Sequence, residues 1–408
     1  MIGFKQFLTE SKNTHMTHIE DRVVYGGVTG ARDAIAALRA FRDMLAGQGK
    51  SRFDVTVKWD GAPAVFAGTD PSDGKFFVAK KGIFNKDPKV YKSESDVRAD
   101  TSGDLADKLT IAYNELKDLG IKDVIQGDIM FTKNDLKVED IDGEKYVTFQ
   151  PNTIVYAVQN KSALAKTIKK ANLGVVFHTT YTGKTFADMK ASYGVDISKL
   201  KKKTSIWYQD ADYKDQSGTA TLTVTETKEV TDALSKAGKI FQKISGSALR
   251  QLESNTEIAG YIETFNNSLV RRGERIQNTG KHVNDLILWF EDKFGKEMTK
   301  RKTEKGKANV QKKLDEILKF FSKENKKNLD LVFALQNAIV DAKLLIISKL
   351  DKVKELDTFV RTKNGFKVTG SEGFVAIDKT NDGAVKLVDR MEFSMNNFSK
   401  DIIKGWEK

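Results

Sequence analysis

The feature that most constrains the fold of this chain is an interruption. Strand-like runs fill residues 52–224, disappear between Glu226 and about Asp357, and return in the last fifty residues. The first stretch carries short β-branched and aromatic segments bounded by Gly and Asp, at 53–59, 64–67, 76–80, 124–131, 146–149, 154–158, 175–178, 205–208 and 219–224. Helical patterns break in at 104–119 and 164–170. The middle block has no proline and repeats its apolar residues with a 3.6-residue period over 230–244, 258–271, 283–294, 310–322 and 329–356. Strand signals then resume at 366–369, 373–377 and 384–388. The last strands are therefore expected to complete the earlier sheet, giving an α+β fold, mainly antiparallel, with an inserted all-α domain. The expected boundaries are 1–50 for an amphipathic peptide and a helix that starts at a Thr29 N-cap, 51–225 for the β-rich core, 226–358 for the helical domain and 359–408 for the closing strands.

A chain of 408 residues has room for two or three domains. It contains 0 cysteines, which excludes disulfides, thiolate metal sites and a Cys nucleophile. The 68 Lys and Arg against 56 Asp and Glu leave a net charge of +12, as suits a partner such as nucleic acid, nucleotide or acidic lipid. Much of the excess sits in 296–327, where 12 basic residues face 5 acidic ones. Such a run is either a solvated helical face or a polyanion-binding surface. The greasiest stretch, around 329–347, is broken by Asp341 and Lys343 and followed by Lys349, so no window is expected to reach the ~18 apolar residues of a membrane span, and a soluble protein is expected.

The chemistry concentrates in Val57-Lys58-Trp59-Asp60-Gly61-Ala62-Pro63. A lysine at a strand end, followed at once by an Asp-Gly turn, sets an amine beside a carboxylate where backbone can approach a phosphate. Alone, the pattern equally describes a β-turn with a surface lysine. Its company is what matters: Lys80-Lys81-Gly82, then Gly127-Asp128-Ile129-Met130-Phe131, then Ser371-Glu372-Gly373-Phe374-Val375, then Val385-Lys386-Leu387.

In that order these motifs resemble the covalent nucleotidyltransferase superfamily, the ATP-dependent DNA ligases, RNA ligases and mRNA capping enzymes. The resemblance spans 52–131 and 370–390 and leaves the helical block uncovered. It implies a ligase-like core that uses ATP, or GTP, with Mg2+ or Mn2+, and acts on DNA or RNA ends. Lys58 would be the nucleophile on the α-phosphate, which requires its neutral amine, and Lys81 and Lys386 would favour that form and neutralise the phosphates. Asp128 and Glu372 would hold the metal, while Asp60 and Gly61 would line the nucleotide pocket, with Asp60 placing the sugar or the lysine. Phe131, or Tyr156, would stack on the base, although either also fits a core position. The alternatives implied are transfer to a protein or a 5′ end as a cap, or a non-catalytic nucleic-acid-binding protein on a decayed ligase fold. Three positions depart from the pattern: Pro63 stands where DNA ligases usually have Arg, Asp128 is shorter than the usual Glu, and Ala384 replaces the first lysine of the last motif.

The first ten residues, Met-Ile-Gly-Phe-Lys-Gln-Phe-Leu-Thr-Glu, form an amphipathic peptide without a secretory core. They are similar to capsid-targeting peptides of internal head proteins in large tailed bacteriophages, which a prohead protease trims, here after Glu10. That similarity implies a bacteriophage protein of the host cytoplasm, packaged in the capsid; a frayed terminal helix is the plain alternative. Gly183-Lys184-Thr185 lacks the preceding glycine-rich turn of a phosphate loop, and His15 and His18 beside Glu20 and Asp21 lack a third spaced ligand.

Overall fold

The computed structural model describes residues 17–48, 53–212, 221–352, 356–378 and 383–407. The fold is mixed α and β, and among the described residues all but one of the strand pairings are antiparallel. Among the described residues the strands are β1 (Phe53–Val57), β2 (Ala64–Thr69), β3 (Phe76–Ala79), β4 (Val124–Thr132), β5 (Lys137–Ile141), β6 (Glu144–Phe149), β7 (Ile154–Gln159), β8 (Leu173–Thr182), β9 (Lys190–Tyr193), β10 (Ile206–Asp210), β11 (Asp357–Thr362), β12 (Gly365–Val368), β13 (Phe374–Asp378), β14 (Gly383–Leu387) and β15 (Ile402–Ile403). The central sheet runs β10-β8-β4-β2-β3, with β9 on β8 and a parallel step between β10 and β8. A second sheet runs β12-β11-β7-β6-β5, with β15 on β11. A third runs β1-β13-β14, so strands from the two ends of the chain share two of the three sheets.

The principal helices are α1 (Gly27–Leu45), α2 (Gly103–Leu116), α3 (Ala163–Lys170), α4 (Val224–Phe241), α5 (Gly246–Ser254), α6 (Thr256–Arg271), α7 (Thr279–Thr299), α8 (Glu304–Phe320), α9 (Lys323–Leu350) and α10 (Arg390–Phe398). Helix α2 packs Leu109, Ala112 and Leu116 against Val65, Ile125, Ile129 and Val175 of the central sheet. The third sheet joins the helical block instead. Val55, Phe374, Ala376, Val385 and Leu387 point into the apolar core built by α1, α4, α7 and α9, burying alternate strand residues against helix stripes.

Several expectations need correction. The strand expected at 219–224 is not formed by its described part: Thr223 caps α4, its hydroxyl accepting the Glu226 N–H (3.2 Å) while the Glu226 carboxylate accepts the Thr223 N–H (2.8 Å). A Thr-x-x-Glu capping box outcompetes β propensity there. Thr29 does not cap α1, because a preceding helical turn, Arg22–Tyr25, runs on through Gly26. The helix expected to reach 356 stops at Leu350, and Asp357–Thr362 becomes β11, held between β7 and β12. Helix α9 also passes the length and composition test for a membrane span, contrary to the sequence reading. It is the central helix of the block: Val332, Phe333, Leu335, Ile339 and Ile346 are buried, and Lys343 forms an ion pair with Glu20 (2.9 Å). The amino-terminal peptide 1–10 and His15 lie outside the described residues.

Candidate functional site

Lys58 stands at the seam between two sheets. Just before it, the Val57 N–H donates to Ala211 beyond the end of β10 (2.7 Å), and the Lys58 N–H donates to the carbonyl of Gly373 ahead of β13 (2.8 Å). Strand alternation then sends successive side chains opposite ways. Trp59 enters the core, stacked on Tyr156 with ring centroids 5.2 Å apart, while Lys58 turns outward into an ion pair with Glu372 and stands 5.9 Å from the Phe393 ring centre.

The loop after Lys58 is fastened on both sides. Ala62 N–H donates to the Ile129 carbonyl and Ile129 N–H to the Pro63 carbonyl, each at 3.0 Å, which lays residues 61–63 along β4. Gly61 is required at that crossing, since a Cβ there would come within 2.5 Å of the Asp128 Cβ. Asp60 is buried, and its carboxylate accepts the Asn152 amide, the Thr153 N–H and the Ile154 N–H, each at 2.7 Å. Its own N–H donates to the Tyr156 hydroxyl at 2.7 Å. Asp60 therefore positions the lysine by clamping its loop to the β6–β7 turn, and its oxygens are committed to that clamp.

Asp128 projects from β4 where β2 pairs with it, opposite Ala64. Its carboxyl is pushed up to about 7, first by burial, then by the charges of Glu372 and Asp60; Lys58 and Lys81 oppose the rise. Glu372 is also held above the usual carboxylate range, by burial and by Asp60, against the pull of Lys58 and Lys386. Lys386 lies on β14 opposite Val375, and its ammonium is pushed down by burial and by the charges of Lys58 and Arg390. Lys81 opens a short turn after β3 and is exposed, whereas Lys80 turns away to Asp100 (3.3 Å). Lys58 and Glu372 are thus in contact, the charge of Lys386 reaches both of them, and the charges of Lys58 and Lys81 reach Asp128.

Gly373 makes the close approach of β13 possible. It sits at φ +140°, and a Cβ would meet Val388 Cγ2 at 2.6 Å and the Leu387 carbonyl at 2.7 Å.

Two residues expected to stack on a base do not belong to the site. Phe131 is 1 % exposed, packed against Trp207 (5.8 Å) and Phe149 (4.8 Å), with Gly174 leaving room for its ring. Tyr156 is buried, its hydroxyl taken by Asp60. Of the expected metal pair, Asp128 faces His178 and Glu372 faces Lys58. Among the described residues no three His, Cys, Asp or Glu side chains come together as a metal cluster. Sequence reasoning missed His178, whose Nε2 lies 3.6 Å from Asp128 Oδ2, and Phe393, which lies one helix entry beyond Lys386. Burial holds the His178 imidazole down at about 4, with the Lys58 charge helping, so it is neutral at physiological pH. Nothing in the strand pattern of 173–182 signals His178, because its placement depends on a register shift between β4 and β8.

Residues 13–402 match the family described as a family of unknown function, DUF6267, and the chain belongs to that family. No curated protein matches it, and no solved structure matches it.

Proposed function

We propose that the protein is a ligase-like nucleotidyltransferase that forms a covalent Lys58–nucleotide intermediate, with ATP or GTP as donor, and passes the nucleotide to a nucleic-acid end. The observation that carries this reading is Lys58, half-buried and ion-paired with Glu372, with its charge also acting on Asp128, and with Lys386 acting on Glu372 and Lys81 on Asp128. Lys58, Lys81 and Lys386 bring positive charge to the carboxyls of Asp128 and Glu372, a setting in which a nucleotide's phosphates would find cationic partners.

The Lys58 amine attacks the α-phosphorus, forming a P–N bond as the P–O bond to pyrophosphate breaks. Lys58 meets Glu372 as an ammonium, so Glu372, whose affinity for protons is raised, takes one proton before the attack, and the second, released from the nitrogen as the P–N bond forms, leaves with the pyrophosphate. Lys386 and Lys81 take the charge that grows on the departing pyrophosphate. Asp60 and Gly61 act on the loop, keeping the amine aimed between the sheets. A divalent ion, when bound, would screen the phosphates, and Asp128 would hold it.

Incubation with α-labelled ATP or GTP and a divalent ion, followed by denaturing electrophoresis, tests the proposal. Label is expected on the wild type and lost in both Lys58→Ala and Lys58→Arg, because a guanidinium keeps its proton at working pH. Wild-type protein that takes no label from either nucleotide would favour the non-catalytic, head-packaged nucleic-acid-binding alternative. Undiminished label on either variant would remove Lys58 from the chemistry.

A further inference from the structure

We infer that His178 is a direct ligand beside Asp128 in a site for a divalent transition ion of the Mn2+ type, and that this imidazole turns the site away from Mg2+. The inference rests on the backbone. Along β4 and β8 the pairing runs Gln126 with Thr179 and then Gly127 with Phe177, so His178 is the extra residue of a β-bulge. Bulges re-aim side chains, and this one turns His178 toward the strand that carries Asp128. Its Nδ1 is 2.8 Å from the Thr179 hydroxyl, which holds the ring in place, while Nε2 lies 3.6 Å from Asp128 Oδ2. That separation exceeds a hydrogen bond, so with the imidazole proton on Nδ1 and Asp128 ionised, the form a bound cation favours, two lone-pair donors face one gap. A cation satisfies both. A partner on the second ring nitrogen, here the Thr179 hydroxyl, fixes the ring as the outer partners of metal-bound histidines do.

The donor set selects the ion. Imidazole with carboxylate suits first-row transition ions, whereas Mg2+ keeps to oxygen donors and water. Among the described residues no third His, Cys, Asp or Glu joins the pair to make a cluster of three. Water and the phosphate oxygens of the nucleotide complete the shell, which is where this inference depends on the nucleotidyl-transfer reading.

The test is Mn2+ binding to the full-length chain, with and without ATP, followed by electron paramagnetic resonance and by competition with Mg2+. Pulsed spectra should show a directly bonded nitrogen whose coupling changes on 15N-histidine labelling. His178→Asn should lose that signal and weaken Mn2+ binding about tenfold or more, with Mg2+ binding within about twofold of wild type. Oxygen-only coupling in the wild type, equal competition by Mg2+, or absence of Mn2+ binding with ATP present would each overturn the inference; the first needs no variant to fold. Nitrogen-coordinated Mn2+ in a protein that never labels Lys58 would sink the proposed function and leave the metal site standing. Labelling supported by Mg2+, with no nitrogen coupling, would do the reverse.

Discussion

At the scale of single residues, the motif glycines and Asp60 turn out to be structural conditions for the site. Gly61 admits Asp128, Gly373 admits the β14–α10 connection, and Asp60 fastens the lysine loop with three accepted hydrogen bonds of 2.7 Å. A methyl group on Gly373 meets two obstacles together, a φ of +140° and contacts of 2.6–2.7 Å with Val388 and Leu387. Gly373→Ala is therefore expected to destabilise the protein by on the order of 2 kcal/mol or more. It should also reduce Lys58 labelling per folded molecule, since the Gly373 carbonyl receives the Lys58 N–H. Thermal unfolding and labelling measured on the same preparation check both, and wild-type values for the two would refute the account.

At the scale of elements, each helix of the inserted block is held by its apolar stripe, and α7 adds a polar member. His282 stacks on Phe265 (4.8 Å), meets the Phe333 ring edge-on (4.6 Å), and places Nε2 2.8 Å from the Asn266 side-chain oxygen. Burial lowers its pKa to about 4, with Lys281 adding to the effect and Asp285 opposing it. Between about pH 6.5 and 4 the unfolded chain then binds a proton that the native protein does not, so stability rises with pH and is lost as pH falls through that window. His282→Gln should lose less stability than the wild type between pH 7 and 4.5, by on the order of 2 kcal/mol. Denaturant melts at the two pH values measure the difference. Parallel losses in both proteins would show that His282 does not govern this acid sensitivity.

At the scale of the whole molecule, the helical block binds the third sheet through one continuous core, so the site and the basic stretch 296–327 belong to connected parts. Within that stretch Lys296, Arg301, Lys307 and Lys313 pair with Asp292, Glu297, Glu304 and Glu257, while Lys300 and Lys302 stand exposed in the connection between α7 and α8 and Lys305 in the first turn of α8. If this end of the block holds a nucleic-acid backbone, affinity falls with log salt by about 0.7–0.9 for every neutralised phosphate. Replacing Lys300, Arg301, Lys302 and Lys305 by Ser should flatten that slope and weaken transfer to an acceptor, with Lys58 labelling near normal. A control with four lysines neutralised on another face separates local contact from net charge. Equal slopes in all three proteins would leave the stretch as a solvated surface.

The sequence by itself determined the alternation of strand and helix and most helix cores, because periodicity and caps are local properties. It also pointed to Lys58, Lys81, Asp128, Glu372 and Lys386, through the ordered motifs whose resemblance to covalent nucleotidyltransferases makes them candidates. The meeting of Lys58 and Glu372 was decided only in three dimensions, by β1 pairing with β13 across more than three hundred positions and by the seam this sheet makes with β10. Register is equally non-local. The extra residue in β8 that turns His178 toward Asp128, and the packing that withdraws Phe131 and Tyr156 into the core, depend on partners distant in the chain. A strand pattern states which residues alternate; only the neighbouring strand fixes which of them face one another.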